Sequence, residues 1–385
     1  MKKYKTGLEN FLDGKYDLVE GKRVGLVTNH TGLTTNLENN IDLFYKNPNI
    51  NLVKLFGPEH GVRGNVGAGD KVSDMVDEKT SLPVISLYGE NKKPGPELLD
   101  DIDTLIFDIQ DLGVRFYTYV STLLYSLESC GENNVEFIVL DRMNPLGRKV
   151  EGNIVEDEYS SFIGLYPIPH RHGMTFGELA KWANEEFSLG ADLKVIKAEG
   201  WEGESFDRHN LFWVPPSPAI SHYNTALTYP IICMLEGTNI SEGRGTANPF
   251  EYFGAPWVDP YKLVEELEKK DLGGVRFRPV YFIPSTSKHK NKECGGAHIL
   301  ISNKSKMDSY NISLNIIKSL FELYPEKTDW RKPENKNYKY FFDLLMGTDK
   351  VRKSIDADHS VEKIKSSWKD ELDNFKDKRK EYLIY

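Results

Sequence analysis

The sequence predicts an α/β fold, in which a parallel sheet wound by helices is followed by a smaller α+β domain. Two observations lead to this prediction. Short apolar runs alternate with amphipathic segments over the first 145 residues, and the pattern becomes more irregular beyond residue 226. Strand followed by helix, repeated, is typical of a parallel sheet, because each parallel connection needs a crossover that covers one face.

The strands and helices of the first part follow from hydrophobic periodicity. Three amphipathic segments, at 36–47, 94–102 and 116–133, have apolar residues three and four positions apart, as helices require. Thr175, with Glu178 three residues later, forms a capping-box pattern that predicts another helix start. The buried strands are predicted at 22–29, 51–57, 82–89, 104–111 and 135–142.

The chain is predicted to divide near Ala226, into a domain of residues 1–226 and a domain of residues 227–385. The Pro-rich segment 211–220 is unsuited to a central strand and is interpreted as a wall or linker. The second domain is predicted to contain a helix at 259–271, strands at 274–284 and 294–302, and helices near 314–323 and 340–346.

Composition narrows the possible partners. The net charge is −9 and no Lys/Arg-rich block is present, which argues against nucleic acid or an anionic membrane surface and favours a small or neutral ligand. Three separated cysteines indicate neither a zinc knuckle nor a disulfide framework. No signal-peptide-like or membrane-spanning stretch is evident, so we expect a cytoplasmic protein. A secreted chain whose signal peptide had been removed would look the same.

Polar residues follow each predicted strand of the first domain. In an open α/β sheet, ligands bind outside the carboxyl ends of the strands, so this polar rim predicts a site. It is richer in carboxylates and imidazoles than ordinary turns are. The rim consists of Thr28, Asn29, His30, Glu59, His60, Tyr88, Asp108, Gln110, Asp111, Asp141, Arg142 and Asn144.

Neither a nucleotide nor a metal cofactor is predicted. Segment 61–70 contains four glycines, but no helix follows to receive a phosphate. A metal site could be assembled from Glu59, His60, Asp108, His170 and His172, yet nothing in the sequence fixes a third ligand. The glycines at residues 61–69 are instead predicted to form either a mobile cover over the site or a rigid turn that needs positive φ.

Carboxylates remain as the candidate catalytic groups. Glycoside cleavage needs one carboxyl group that donates a proton to the leaving oxygen and a second group across the sugar ring. Glu59, between an apolar strand and a glycine loop, is predicted to be the general acid/base. Possible second groups are Asp108, Asp111, Glu236 and Glu242, and stacking surfaces could come from Trp201, Trp213, Tyr223, Tyr252 and Trp257.

Several blocks resemble the NamZ-type exo-β-N-acetylmuramidases, over a range from about Gly7 to the C-terminus. They are "FGPEHGVRG", "DIQDLGVRFYTY", "VLDRMNPLG", "GLYPIPHRHGMTFGELA", "WVPPSP" and "LEGTNISEGRGTANPFE". The resemblance implies a Rossmann-like N-terminal domain, a C-terminal domain and an active-site cleft between them. It also implies removal of N-acetylmuramic acid from the non-reducing end of peptidoglycan fragments, with Glu59 at the position of the family's proposed catalytic glutamate.

The rim and these blocks together give the predicted site. The catalytic group is Glu59 with His60 and Asp108. A small carbohydrate or muropeptide is the expected substrate, and Arg171 or Arg244, with Arg115 as a third candidate, is expected to bind the lactyl carboxylate of muramic acid. The predicted substrate-binding residues are Asn29, His30, Arg63, Gln110, Asp111, Arg115, Tyr117, Asp141, Asn144, His170, Arg171, His172, Glu236, Asn239, Glu242 and Arg244.

Two other functions compete with a glycoside hydrolase. One is a metal-dependent amidase or deacetylase that acts on the same polymer, and the other is a module that binds cell-wall sugars without cleaving them. Both would use a polar cleft, so the sequence pattern alone leaves them open.

Overall fold

A computed structural model of the protein describes residues 3–64, 75–89, 91–333, 335 and 338–385. The strands are β1 (Arg23–Thr28), β2 (Asn51–Gly57), β3 (Met75–Val76), β4 (Pro83–Ser86), β5 (Thr104–Asp108), β6 (Glu136–Leu140), β7 (Glu151–Ile154), β8 (Pro169–Arg171), β9 (Leu193–Ile196), β10 (Tyr252–Ala255), β11 (Val275–Phe282) and β12 (Cys294–Ile301). The helices are α1 (Gly7–Leu12), α2 (Asn40–Lys46), α3 (Pro96–Leu99), α4 (Tyr119–Asn133), α5 (Phe176–Glu186), α6 (Tyr223–Ile232), α7 (Pro260–Lys269), α8 (Ser309–Leu323), α9 (Phe341–Met346), α10 (Lys350–Asp356), α11 (Val361–Ser366) and α12 (Lys369–Lys378).

A seven-stranded sheet forms the N-terminal half, in the order β3-β4-β2-β1-β5-β6-β9. All neighbouring strands are parallel except β3 and β4, which pair antiparallel at one edge. The five predicted strands and the α/β class are therefore confirmed. The two edge strands were not predicted, because β3 has only two residues and β9 has a lysine within a short apolar run.

Helices cover both faces of this sheet. Leu105 and Phe107 of β5 pack into the same core as α4 and α5, whereas Ile106 packs into a second core with α1 and α2. Successive side chains of a strand point to opposite faces, so burial on both sides requires a continuous apolar run. Every residue of β5 and of β6 is buried, as that requirement predicts.

The capping box at the start of α5 is present as predicted. The Thr175 hydroxyl accepts a hydrogen bond from the Glu178 backbone N–H, and the Glu178 carboxylate accepts one from the Thr175 backbone N–H. Asp141, at the end of β6, also accepts from the Gly177 backbone N–H. Carboxylates near a helix N-terminus satisfy N–H groups that have no partner within the helix.

The C-terminal half is α+β. Its antiparallel sheet has the order β10-β12-β11, with α7 packed on β11 and β12, and α8 packed on α6 and α7. The predicted strands and helices of this half are present, and the last three helices, α10 to α12, were not predicted. Residue 226 lies inside α6, which connects the two halves. In the described part of the chain, no helix is long and apolar enough to cross a membrane.

Arg115 holds the two halves together. Its side chain is fully buried and donates to the backbone carbonyls of Asn153 and Ile168 on one side and of Leu345 and Met346, at the end of α9, on the other. Burial lowers the pKa of Arg115 to about 10, so the group remains charged at neutral pH. A cation at a helix C-terminus interacts favourably with the helix dipole. Arg115 is thus used in the domain seam and does not line the cleft, contrary to the substrate-binding role predicted for it.

Candidate active site

A cleft of about 790 Å³ lies between the two halves, beside the carboxyl ends of β2 and β4. Its N-terminal wall comes from the β2 and β4 ends, the start of α4 and the Pro-rich segment, which was predicted to be a wall or a linker. The C-terminal wall comes from α6, α9 and the loops before β10 and after β11. The polar and charged lining residues include Glu59, His60, Tyr88, Tyr117, Thr118, Tyr119, Ser217, Tyr229, Cys233, Glu236, Arg244, Thr246, Thr286 and Ser287.

Glu59 lies in a tight turn directly after β2. The Gly61 backbone N–H donates to the Pro58 carbonyl at 3.0 Å, which closes the turn. His60 has φ +77°, in the left-handed region that few residues other than glycine adopt. Backbone strain of this kind is concentrated at functional sites. The turn is what places Glu59 and His60 at the cleft instead of in a continued strand.

Two hydroxyl groups contact the Glu59 carboxylate. The Thr118 hydroxyl, at the start of α4, donates to Oε2 of Glu59 at 3.0 Å. The phenol of Tyr88, which follows β4, also hydrogen-bonds to Glu59. Burial first, and then the charge of Glu59, raises the pKa of Tyr88 to about 12, so its proton is retained at neutral pH. Donors on two different elements therefore orient the carboxyl group.

On the opposite wall, Arg244 lies between an acid and an aromatic ring. Its Nε donates to Oε1 of Glu236 at 2.7 Å, and Cζ lies 4.8 Å from the centre of the Phe250 ring. Oε1 of Glu242 is 3.6 Å from the same Nε. Burial would lower the pKa of Arg244, but these carboxylates and Tyr229 more than offset it, so the pKa is raised. Arg244 is permanently charged.

The loop that carries Arg244 is rigidly built. Gly243 and Gly245 both have positive φ, and a Cβ atom on Gly245 would lie 2.5 Å from the Thr286 backbone nitrogen. The Gly245 carbonyl accepts hydrogen bonds from the backbone N–H and the hydroxyl of Ser285. Glycine is required here by both conformation and close approach.

Asp108 does not reach the cleft, contrary to the catalytic role predicted for it. The side chain is fully buried, and its two oxygens accept from Nε and Nη2 of Arg142 at 2.7 and 3.1 Å. Asn40 donates to the same carboxylate at 2.8 Å. A buried carboxylate needs such partners, because an unpaired charge in the interior is costly. The pair fixes the end of β5 and leaves no oxygen directed at the cleft.

Most other rim residues are used in internal contacts as well. Asn29 accepts from Thr31, and Gln110 donates to the carbonyls of Asp111 and Met143. His30 contacts the Pro215 carbonyl at 2.7 Å. Two further rim residues lie away from the cleft, Asp141 against the start of α5 and Asn144 against the Met174 carbonyl.

The "HRH" segment is buried behind the cleft. His170 contacts the Pro230 carbonyl at 2.7 Å, and burial lowers its pKa to about 3, so it is neutral. Arg171 donates to Glu151, Ser309 and the Leu146 carbonyl. Nε2 of His172 lies 3.3 Å from Oδ2 of Asp111, and both side chains are buried. Arg171 therefore cannot contact a ligand in the cleft, which removes one of the two preferred candidates for the lactyl carboxylate.

Three further predicted residues bind neighbouring side chains or backbone. Arg63 pairs with Asp77 and Asp42 near the edge of the sheet. Asn239 is hydrogen-bonded to the backbone at 327 and 329, and Glu242 pairs with Lys288 at 2.9 Å. Of the predicted site residues, the cleft is lined by Glu59, His60, Tyr117, Glu236 and Arg244.

The comparisons with known proteins cover the whole chain. Models for the N-terminal and C-terminal domains of "Exo-beta-N-acetylmuramidase NamZ" match residues 24–224 and 227–385. The chain belongs to the NamZ exo-β-N-acetylmuramidase family. It is 46% identical to the peptidoglycan beta-N-acetylmuramidase NamZ of Bacillus subtilis (strain 168), over 100% of this chain and 92% of that protein.

Two solved structures share the fold. Both are DUF1343 family proteins from Bacteroides fragilis NCTC 9343. One has a TM-score of 0.92 at 39% identity, with 100% of each chain covered. The other has a TM-score of 0.75 at 32% identity, with 100% of this chain and 99% of that chain covered.

Several residues that line the cleft of this NamZ family member were not predicted from the sequence. Thr118 and Tyr119 were interpreted only as part of a helix, although "FYTY" lies in one of the family-like blocks. Tyr229 and Cys233 reach the cleft from α6 and the turn after it. The aromatic lining consists of Tyr88, Phe116, Tyr117, Tyr119, Tyr229, Phe250 and Phe341, and it contains none of the five aromatic residues named as stacking candidates.

The potential metal ligands named from the sequence are dispersed. No three His, Cys, Asp or Glu side chains of the described residues are grouped so that they could hold a metal ion. Asp108 and His170 have the internal partners given above. The glycine cover predicted at residues 61–69 lies mostly outside the described residues, at 65–69, and remains a prediction.

Proposed function

We propose that the protein is an exo-β-N-acetylmuramidase, which hydrolyses the glycosidic bond of terminal non-reducing N-acetylmuramic acid in peptidoglycan fragments. The observation that carries this proposal is the position of Glu59. This carboxyl group lies in the cleft between the two halves, at the family position implied by the "GPEHG" block, with Thr118 and Tyr88 bonded to it.

Glu59 is the proton donor in the proposed reaction. It transfers a proton to the glycosidic oxygen as the bond to the anomeric carbon breaks, the oxygen of a water molecule becomes bonded to that carbon, and the proton that this water releases restores the acid. Thr118 and Tyr88 fix the carboxyl group in one orientation, so the Glu59 side chain does not have to change rotamer before it transfers the proton. Aromatic rings around the cleft offer stacking surfaces for the sugar and limit the access of water.

Glu236 is the other carboxylate among the described residues that line the cleft. Because one of its oxygens accepts from Arg244, we assign Glu236 to positioning and not to proton transfer. The size of the cleft suits a small ligand. A volume of about 790 Å³ is within the range of small-molecule sites, ~300–1,000 Å³, and a terminal sugar with its neighbour is a ligand of that class.

The test is release of the terminal sugar. Purified protein is incubated with a disaccharide that ends in N-acetylmuramic acid and with one that ends in N-acetylglucosamine, each with and without a chelator. We expect N-acetylmuramic acid to be released from the first substrate only, at the same rate in both conditions. Release that stops on chelation would indicate a metal-dependent enzyme. Binding without any release would indicate a sugar-binding module.

A further inference from the structure

The cleft has one feature that proton transfer to a glycosidic bond does not require. Among the described residues that line it, Arg244 is the only arginine or lysine. It lies on the C-terminal wall, whereas Glu59 lies on the N-terminal wall. Because the two residues lie on opposite walls, proton donation by Glu59 gives Arg244 no role in bond cleavage.

The side chain of Arg244 is oriented before any ligand arrives. Nε is bonded to Glu236, and the guanidinium plane packs near the Phe250 ring. The bond from Nε is the only hydrogen bond that the guanidinium makes within the part of the chain that the structure describes, and 28% of the side chain is exposed. Both terminal nitrogens are left for a ligand, in the parallel arrangement that matches a carboxylate.

The surroundings favour an anion over a second structural partner. Glu242, the other acid near Arg244, is closer to Lys288, at 2.9 Å, than to Arg244, at 3.6 Å. Gly245, the residue after Arg244, is bonded to Ser285 and packs closely on Thr286, so the loop is fixed and little conformational entropy is lost when an anion binds.

We propose that Arg244 forms an anion subsite that binds the carboxylate of the substrate sugar and thereby selects an acidic sugar over a neutral one. This inference rests on the proposed function, because the acidic group is the lactyl carboxylate of N-acetylmuramic acid. Glu236 and Phe250 are positioning residues for Arg244 and do not contact the carboxylate.

The test compares two chromogenic β-glycosides that differ only in charge, one of N-acetylmuramic acid and one of its lactyl amide. Hydrogen bonds to a charged group favour the acid by ~10- to 100-fold in kcat/KM. We expect this preference in the wild-type protein and a ratio near one in Arg244→Ala. Arg331→Ala is the matched control, because Arg331 lies over the Phe341 ring next to the cleft but does not line it. It should keep the wild-type ratio.

Each outcome bears on one proposal. If Arg244→Ala cleaves both glycosides and keeps the preference, or if only Arg331→Ala loses it, the anion subsite is refuted. If the wild-type protein cleaves neither glycoside, the proposed function fails first. Should Arg244→Ala not fold, Arg244→Gln, which retains the length of the side chain and its packing on Phe250, supplies the same ratio.

Discussion

The Thr118 hydroxyl donates to the Glu59 carboxylate and makes no capping bond to its own helix. Threonine at the N-cap of a helix usually accepts from a backbone N–H two or three residues later. Here the hydroxyl is used across the cleft wall, from the start of α4 to the turn after β2. Helix α4 therefore lacks this capping hydrogen bond, and the Glu59 carboxyl group has a hydrogen-bond donor in a fixed position.

Replacement of Thr118 by valine should therefore lower activity and leave stability almost unchanged. Valine has the shape of threonine without the donor, so we expect kcat/KM to fall about 10-fold, the effect of one hydrogen bond to a charged group. Thr118→Ser, which retains the hydroxyl, is the control. Steady-state kinetics and thermal unfolding are measured together, and a lower Tm with unchanged kcat/KM would assign Thr118 to the helix alone.

Replacement of Glu59 by glutamine should depend on the leaving group. For a sugar leaving group, which needs a proton, we expect kcat to fall by ~10²–10⁴-fold. For an activated aryl leaving group the loss should be much smaller, because little proton donation is needed. Rates for a series of leaving groups of different acidity test this, and an equal loss across the series would contradict proton donation by Glu59.

The loop around Arg244 offers a test that leaves every charge in place. In Gly245→Ala the new Cβ would lie 2.5 Å from the Thr286 backbone nitrogen, so the loop has to shift. We expect kcat/KM to fall more for the acidic sugar than for its amide. Gly190→Ala is the control, because Gly190 also has positive φ but has no atom within 4 Å of the added Cβ. Equal losses for both sugars would show that the loop position does not affect charge selection.

Arg115 should matter for stability and not for substrate choice. Arg115→Met leaves four buried carbonyls without this donor, so we expect the free energy of unfolding to fall by about 3 kcal/mol. Urea unfolding measures the change, with Arg276→Met on the exposed side of β11 as the control. The folded variant should retain the preference for the acidic sugar. Loss of this preference would show that Arg115 takes part in substrate binding.

Asp141 predicts a pH dependence of stability. Burial, and then the charge of Glu178, raises the pKa of Asp141 from 3.8 to about 6. Between these values the folded protein holds a proton that the unfolded chain releases, so the free energy of unfolding should fall as the pH rises from about 4 to about 6. The full change is about 3 kcal/mol. Asp141→Asn should flatten this part of the curve, and an unchanged slope in unfolding experiments would assign it to other groups.

The central sheet could be predicted because its information is local. The runs that became β1, β2, β4, β5 and β6 are apolar enough to be buried on both faces, and Glu59 was recognisable between a strand and a glycine loop. The edge strand β3 was not predicted, because two residues are too few to show a hydrophobic period.

The roles of the charged residues of the rim and of the "HRH" segment could not be predicted, because each depends on a partner distant in the chain. Asp108 pairs with Arg142, and Arg171 with Glu151 and Ser309. The same residue types at the same strand ends would line a cleft if these partners were absent. Thr118 was not predicted to line the cleft, because a residue at the start of a helix gives no indication in the sequence of a contact 59 positions earlier.

The acid and the cation lie on opposite halves of the chain, and buried contacts between the halves, such as those of Arg115 and Arg171, fix their relative position. Bond cleavage and the choice of sugar can therefore change independently during evolution. A relative that exchanged its C-terminal half could acquire a different sugar preference and keep the same proton donor, provided that the new segment kept its contacts with the N-terminal half, such as the carbonyls that Arg115 binds at Leu345 and Met346. Diversification of such enzymes would then be expected to leave its sequence changes in the loop before β10 and not in the turn after β2.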